Sequence, residues 1–469
     1  MSDELAFASA LELAARVRAR EVSPVELVQL YLDRIERLDP QLNSFVTVDA
    51  DGALAAARAA ESVASDAPFH GVPIPIKDLH ETAGLRTTYS AKALADFVPQ
   101  SDAAVVRRLR GAGFVVLGKT NTPELGTIGM TESELNGVCR NPWDTSRTSG
   151  GSSGGAAAAT AAGLCPAAHG SDGGGSIRNP VSCCGLVGVK PSRGRVSPAP
   201  YVSGSLELSQ NGPLSVSVRD AAAFLDAIAG YEPGDAHWAT PPARPFLDEI
   251  GVDPGRLRIA FTAEPPIPFD VDPRVVAVAR DAADALAALG HEVVDGGPQW
   301  SDETLLSGFA KLWQVGPALF PVADPALLEP LNRELARVAH ETSSVVFAQA
   351  VAGLQRLARR IVSFWNDVDI VLTPGLAKLP VPIGWIFEPD DPWEQFRRGG
   401  EFTPFTPIVN VTGQPAATVP FGVVEGLPVG VQLIGPPAGE AMLFRLAAQL
   451  EEAHPWAERL AAPVSRSQR

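Results

Sequence analysis

The stretch AAVVRRLRGAGFVVLG, residues 103–118, contains both kinds of secondary structure that decide the fold. Its first half indicates a helix, and the apolar run FVVL after Gly113 indicates a buried strand. A similar apolar run, GVPIPI at residues 71–76, precedes this stretch, and an alanine-rich run after Gly155 follows it. Alternating strand-like and helix-like runs predict an α/β fold with a largely buried sheet.

The end of the same stretch matches a phosphate-binding pattern. Residues 113–120, GFVVLGKT, satisfy G-x-x-x-x-G-K-T. A P-loop needs its strand before the first glycine and a helix after the threonine, whereas here the middle residues form the strand and Pro123 follows. Nucleotide binding through Lys119 is therefore a remote alternative.

Composition and charge limit the class of protein. The 469 residues are 45% hydrophobic and 20% charged, which is typical of a soluble globular protein. The formal net charge of −16 disfavours nucleic-acid and anionic-membrane partners. The N-terminal sequence lacks the pattern of a signal peptide, and the most apolar stretch is too short to span a bilayer. We expect a cytoplasmic protein with neither nucleic acid nor membrane as a partner.

The cysteines fall in one short part of the chain and lack the CxxC spacing of zinc or redox sites. We predict that they are small, buried, reduced thiols. They are Cys139, Cys165, Cys183 and Cys184.

Two glycine-rich stretches carry serines in positions suited to catalysis. In GSDGGGSIRNP, residues 170–180, Ser176 follows three glycines, whose bare backbone N–H groups could receive a substrate carbonyl oxygen. The stretch TSGGSSGGAAAATAAG, residues 148–163, could be a flexible linker. However, its alanine run is a strong helix former that ends at a glycine, so a tight turn leading into a buried helix is favoured. This turn places Ser152 and Ser153 near the start of the helix.

A lysine completes the set of candidate catalytic groups. Lys77 ends the apolar run GVPIPIK. Burial there would lower the pKa of its amine and allow it to act as a neutral base, although a solvated surface lysine is the equally weighted alternative.

Long motifs that include these stretches, in the same order along the chain, resemble those of the amidase signature hydrolases. The resemblance implies an α/β/α sandwich around a large mixed β-sheet, with a helical cap-like insertion over residues 300–402. It implies a single amidase domain over residues 1–469, with N-terminal helices over 1–68, the catalytic core over 69–230, a variable and partly helical substrate-side region over 231–402, and a return to the core sheet with a C-terminal helix over 403–469. The motifs are SPVELVQLYLDRIERLDPQLNSF, GVPIPIKD, GKTNTPELG, NPWDTSRTSGGSSGGAAAA, GSDGGGSIRNP, CGLVGVKPSRGRVSP, GPLSVSVRD, NVTGQPAATVP and GLPVGVQLIGP.

The resemblance also implies a role for each candidate residue. Ser176 is similar to the family's nucleophile, Ser152 to its bridging serine, whose preceding peptide bond is cis, and Lys77 to its base. In that mechanism the substrate forms an acyl-enzyme, and neither a metal nor a cofactor takes part. The backbone N–H groups of Gly173, Gly174, Gly175 and Ser176 would form the oxyanion hole, and Ser153, Asp172 and Arg178 would support the loop.

The resemblance says less about the substrate than about the fold and the catalytic residues. ELNGVCRNPWD, GGGSIRNP and NVTGQPA are similar to the branch with nylon-oligomer (cyclic dimer) hydrolases and urethanases. This implies a small, neutral, apolar or aromatic amide, anilide or carbamate, hydrolysed by a monomer or homodimer. For Trp313 ordinary core packing is the alternative, and for Arg195 a structural hydrogen-bonding role. The candidate pocket residues are Thr127, Ile128, Gly129, Met130, Arg195 and Trp313.

A second activity within the family remains open. The chain could be the glutaminase-type A subunit of an amidotransferase complex. The motif NEFAMGSSTENS of the glutamyl-tRNA amidotransferase A subunit is replaced here by PELGTIGMTESELNG, which weakens that interpretation, as does the acidic net charge.

Overall fold

The computed structural model describes residues 3–201, 206–302 and 304–456 of the chain. Helices cover much of these residues, and several short 3₁₀ turns join them. The helices are α1 Asp3–Ala6, α2 Ala10–Arg18, α3 Pro24–Leu42, α4 Ala50–Glu61, α5 Ala104–Gly111, α6 Gly154–Ala161, α7 Arg178–Cys184, α8 Val218–Ile228, α9 Pro273–Ala288, α10 Thr304–Trp313, α11 Val315–Leu319, α12 Pro330–Glu341, α13 Ser344–Val362, α14 Pro392–Phe402, α15 Pro407–Thr412 and α16 Glu440–Ala453.

The strands are short, and most are buried on both faces. They are β1 Phe45–Val48, β2 Pro73–Lys77, β3 Val115–Thr120, β4 Glu132–Ser133, β5 Gly137–Val138, β6 Arg140–Asn141, β7 Asp144–Thr148, β8 Ala167–Asp172, β9 Val187–Lys190, β10 Gln210–Ser215, β11 Arg258–Phe261, β12 Glu292–Asp295, β13 Ile370–Pro374, β14 Ala416–Val424 and β15 Leu427–Ile434.

A mixed sheet of eight strands forms the centre of the fold, in the order β12-β11-β13-β15-β14-β9-β10-β8. Strand β11 runs parallel to β12 and β13, and the other neighbouring pairs are antiparallel. A second sheet has the order β1-β3-β2, with β2 parallel to β3. Strand β2 contacts β8, the edge strand of the larger sheet, so the ends of these two strands lie close together.

Helices cover both faces of the large sheet, because alternate residues of its strands point to opposite sides. In β13, Ile370 and Leu372 belong to the larger apolar core cluster, together with residues of α9 and α16. The intervening Val371 belongs to a smaller cluster with residues of α10, α13 and α15. The mixed α/β fold with a large mixed sheet is therefore confirmed.

The beginning of α3 shows how local sequence sets an element. The hydroxyl of Ser23 accepts a hydrogen bond from the Glu26 N–H (3.1 Å), and the Glu26 carboxylate accepts one from the Ser23 N–H (2.8 Å). These bonds form a capping box, and Pro24 occupies the first turn of the helix. The helix ends where Asn43 adopts a left-handed conformation with φ of 53°.

Two segments differ from their expected secondary structure. The helical stretch expected over residues 300–402 is interrupted by β13, which lies in the interior of the large sheet. Five apolar and small residues between helices are enough for a buried strand, and helical periodicity around them hides it. Likewise, the N-terminal helices over 1–68 are accompanied by β1, which pairs with β3. The division into one domain with four parts stays a prediction.

Two further findings concern membranes and thiols. In the part of the chain that the structure describes, no helix is long and apolar enough to cross a membrane. All four cysteines are buried and free, as predicted from their spacing.

Candidate active site

Lys77 lies at the end of β2 with its side chain fully buried. Its amine donates hydrogen bonds to the Ser152 hydroxyl (2.8 Å) and to the Ser171 carbonyl (3.1 Å). Burial lowers the pKa of Lys77 to about 7, although the negative charge of Asp172 partly opposes this shift. A substantial fraction of the amine is therefore neutral near neutral pH and able to accept a proton.

Ser152 lies in the turn between β7 and α6. The peptide bond between Gly151 and Ser152 is cis. A Cβ atom at Gly151 would lie 2.8 Å from the backbone of Met130, so the close approach of these two segments requires glycine. The next residue, Ser153, precedes the first residue of α6, and its N–H donates to the Ser176 carbonyl (3.1 Å). This bond ties the turn that carries Ser152 to the loop that carries Ser176.

The loop of Ser176 is organised around the Asp172 carboxylate. This group accepts hydrogen bonds from the N–H groups of Gly175 (2.7 Å) and Ile177 (3.2 Å) and from the Arg178 guanidinium (2.8 and 2.9 Å). Asn410 of α15 donates to the Asp172 carbonyl (2.8 Å) and carboxylate (2.9 Å). Burial alone would raise the pKa of Asp172, but the charge and hydrogen bonds of Arg178 outweigh burial and hold it below its usual range.

The backbone conformation of this loop changes the expected oxyanion hole. Gly175 adopts φ of +126°, and its N–H points to Asp172 rather than to the cavity side of the loop. Its N–H is therefore engaged by Asp172 in this structure, and the expectation that it joins the oxyanion hole stays a prediction. Among the described residues, the N–H groups of Gly173, Gly174 and Ser176 have no protein acceptor, so these three can bind an oxyanion.

Ser176 opens into two cavities. The first cavity is lined by Ile267, Leu305, Leu306, Phe309, Asn179 and Phe396, and the second by Ser152, Leu208, Ser209, Leu312, Pro317 and Phe320. Both cavities reach Ser176, Thr127 and Trp313. None of the described residues that line either cavity has an acidic or basic side chain, so the site favours a neutral ligand.

Trp313, the last residue of α10, lies against the loop that carries Ser176. Its indole N–H donates to the Thr127 carbonyl (2.9 Å), and its ring stacks on Phe309 with centroids 5.1 Å apart. A Cβ atom at Gly173 would lie 3.0 Å from the indole ring, and one at Gly174 would lie 3.8 Å from it. The indole therefore lies against Gly173 on the side to which a Cβ atom would point.

The structure places most of the predicted pocket residues beside Ser176. Thr127, Ile128, Gly129 and Trp313 line the first cavity. Met130 is buried, and its backbone packs against Gly151 behind the site, so it supports the Ser152 turn and lines neither cavity.

Arg195 lines neither cavity at Ser176, so its expected substrate-binding role stays a prediction that the structure does not support. Its guanidinium is buried and pairs with the Glu440 carboxylate of α16 (2.9 Å). It also donates to the Thr240 carbonyl (2.6 Å) and lies over the Phe246 ring, 5.6 Å from its centroid. Through these contacts the arginine joins α16 to the segment that contains Thr240 and Phe246.

The nucleotide-binding alternative is also contradicted. Lys119 lies in β3 and is fully buried. Its amine donates to the hydroxyls of Thr82 (3.1 Å) and Thr87 (2.9 Å) and lies 3.8 Å from the Asp78 carboxylate. The lysine is thus committed to structural contacts and has no access to a phosphate.

Sequence reasoning missed several site residues that come from distant parts of the chain. Asn179 lines the first cavity, and its amide oxygen accepts from the Thr406 hydroxyl (3.1 Å). Arg178 also donates to Asn410 (2.7 Å) and Gln432 (2.6 Å). Asn410 opens the motif NVTGQPAATVP, and a buried charge such as Arg178 requires polar partners, so that motif was the available signal.

No group of three or more histidine, cysteine, aspartate or glutamate side chains in residues 3–201, 206–302 and 304–456 is arranged to hold a metal ion.

Comparison with known proteins finds relatives over nearly the whole chain. The family model described as Amidase matches residues 26–444. The 6-aminohexanoate-cyclic-dimer hydrolase of Paenarthrobacter ureafaciens is 36% identical over 471 residues, which cover 95% of this chain and 94% of that protein. The solved structure of 6-aminohexanoate cyclic dimer hydrolase complexed with substrate has a TM-score of 0.93 and 35% identity, covering 98% of this chain and 99% of that one. A bacterial aryl acylamidase of the amidase signature enzymes family has a TM-score of 0.87 and 26% identity, covering 98% of each chain.

Proposed function

Because the chain belongs to the amidase family of C–N hydrolases, we propose that it cleaves neutral, apolar amides, anilides or carbamates through an acyl-enzyme on Ser176. The observation that carries this proposal is the hydrogen bond from the buried Lys77 amine to Ser152 (2.8 Å), in a turn bonded to the Ser176 loop. A base, a bridging hydroxyl and a nucleophile are the parts that a serine–lysine acyl transfer requires.

The reaction divides into two acyl transfers. Neutral Lys77 accepts a proton from Ser152 while Ser152 accepts the proton of Ser176, and the Ser176 oxygen attacks the substrate carbonyl carbon. The N–H groups of Gly173, Gly174 and Ser176 stabilise the oxyanion, which is worth about 3–4 kcal/mol for one well-placed donor in related enzymes.

The C–N bond then breaks as Ser152 returns a proton to the leaving nitrogen. Water next attacks the acyl-enzyme and releases the acid and free Ser176. With a carbamate, the same steps release an amine, an alcohol and carbon dioxide.

The uncharged cavities support a neutral substrate. Free glutamine carries an ammonium and a carboxylate group, and burying either without an opposite charge is costly. Neither cavity offers such a partner among its described lining residues, which disfavours the glutaminase-type alternative. The similarity to a 6-aminohexanoate-cyclic-dimer hydrolase and to an aryl acylamidase supports amides and anilides as substrates. Carbamates are included because they present the same carbonyl and leaving nitrogen.

Amine release from an anilide and a carbamate of one aromatic amine tests the proposal. The wild type should be compared with Ser176→Ala and with Ser307→Ala, which alters an exposed serine on α10. We expect release by the wild type and by Ser307→Ala only, and an acyl adduct on Ser176 by mass spectrometry. Equal release by Ser176→Ala would refute the mechanism, and the ratio of the two rates ranks the amide against the carbamate. Glutamine hydrolysis that needs added partner subunits, without anilide cleavage, would instead indicate the amidotransferase subunit.

A further inference from the structure

Trp313 is one of the residues that the two cavities at Ser176 have in common. Its indole lies against Gly173 while its N–H is fixed on the Thr127 carbonyl (2.9 Å). Phe309 stacks on one face of the indole and lines only the first cavity. A ligand bonded to Ser176 can therefore place one substituent in each cavity, with this ring beside both.

The bridging serine belongs to only one of the two sides. Ser152 lines the second cavity and is absent from the lining of the first, whereas Asn179 lines only the first. Since Ser152 is the group that returns a proton to the leaving nitrogen, that nitrogen must lie at the second cavity during bond cleavage.

The tetrahedral carbon then has its four substituents assigned. One is the Ser176 oxygen, and the oxyanion lies at the free N–H groups of the glycine loop. The leaving nitrogen lies near Ser152 in the second cavity, so the acyl group points into the first cavity. We propose that the first cavity binds the acyl group, that the second binds the amine group, and that Trp313 separates the two parts of the substrate. This inference rests on the proposed function.

The lining residues indicate which groups each side accepts. Ile267, Leu305 and Phe396 make the first cavity apolar, so it suits an aliphatic or aryl acyl group without charge. The second cavity combines Phe320 with the exposed hydroxyl of Ser209, so it suits an uncharged amine that carries an additional polar group.

A matched pair of variants tests the assignment. Phe396 and Phe320 are both half-buried, and each lines only one cavity. Two series of anilides are needed, one with acyl groups of increasing length on aniline and one with a fixed acyl group on aryl amines of increasing size. Phe396→Ala should shift the acyl preference in kcat/KM by about 10-fold towards longer groups. Phe320→Ala should shift only the amine preference, by a similar factor.

The second half-reaction gives a readout that a general loss of structure would not produce. Once the amine has left, the acyl-enzyme occupies only the first cavity. The dependence of the deacylation rate on acyl length, measured after a burst of amine release, should therefore change in Phe396→Ala and match the wild type in Phe320→Ala. If an alanine variant fails to fold, the corresponding leucine variants, Phe396→Leu and Phe320→Leu, provide the same comparison.

The possible outcomes distinguish a failure of the cavity assignment from a failure of the proposed hydrolase function. Wild-type protein that forms no Ser176 acyl-enzyme with any anilide would overturn both. A wild-type acyl-enzyme together with reversed effects, or with both variants shifting the same series, would overturn the assignment and leave the proposed hydrolysis intact. Reciprocal shifts, with the acyl-length dependence of deacylation altered only by Phe396→Ala, would establish the divided substrate.

Discussion

The guanidinium of Arg178 contacts both carboxylate oxygens of Asp172, with Nη2 2.8 Å from Oδ1 and Nε 2.9 Å from Oδ2, and both side chains are completely buried. Replacing one member of such a pair leaves an uncompensated buried charge. We expect Arg178→Gln to lower the free energy of unfolding in urea by about 3–5 kcal/mol.

The matched control is Arg337→Gln, which breaks an exposed pair with Glu334 (2.8 Å) on α12. This control should leave the free energy of unfolding almost unchanged because solvent already screens the pair. Similar losses of unfolding free energy in the two variants would show that the buried Asp172–Arg178 pair stabilises the fold no more than an exposed pair does.

The rate should depend on pH through Lys77. Burial lowers the pKa of Lys77 to about 7, and only the neutral amine can accept the proton of Ser152. We therefore expect kcat/KM to fall as pH drops below about 7 and to level off above it. Lys77→Ala should lower the rate by ~10²–10⁴ and remove this limb of the profile, as expected for loss of a general base. A wild-type profile that is flat through this range would assign the base to another group.

Adjacent glycines of the nucleophile loop should respond differently to a methyl group. At Gly173 a Cβ atom would lie 3.0 Å from the Trp313 ring, which must move, whereas at Gly174 it would meet the Phe309 ring at an ordinary 3.4 Å. A displacement of ~1 Å at an active site can lower the rate ~10²-fold. The indole need give by only a few tenths of an ångström, so we expect Gly173→Ala to lower kcat by less than that factor and Gly174→Ala to lower it less still. Equal kcat values for the two variants would argue against the role of the indole.

Arg195 should affect stability and not substrate affinity. Its partner Glu440 is also buried, so Arg195→Met should lower the free energy of unfolding by about 3–5 kcal/mol. The double variant Arg195→Met, Glu440→Leu should recover part of this loss, because no charge remains buried alone. KM for the anilide should stay at the wild-type value in folded protein, and a raised KM would return Arg195 to the substrate pocket.

Local sequence was sufficient to predict those elements whose stabilising contacts are made between residues close together in the chain. The capping box of Ser23 and Glu26 set the start of α3, and the run of alanines before Gly163 set α6. The order of long motifs identified Lys77, Ser152 and Ser176, and the structure brings Lys77 and Ser152 into contact. The catalytic role of each remains a prediction.

The features that could not be predicted depend on the direction in which a side chain or N–H group points, or on contacts with residues distant in sequence. The side chain of Arg195 turns to Glu440 on the last helix, and no nearby residue signals this. The N–H of Gly175 turns to Asp172 because of a φ of +126°, which a run of three glycines permits and does not specify. Strand β13 lies within a mostly helical segment, and its place inside the sheet follows only from tertiary pairing with β11 and β15.

The partners of Arg178 have a consequence for how the protein is made. Asn410 and Gln432 follow this arginine by 232 and 254 residues, so they are synthesised long after it. While the chain grows on the ribosome, the loop that carries Ser176 is synthesised before two of the acceptors that hold Arg178 in the finished fold. This loop can therefore gain its full set of hydrogen bonds only after β15 has been translated, late in the synthesis of the chain.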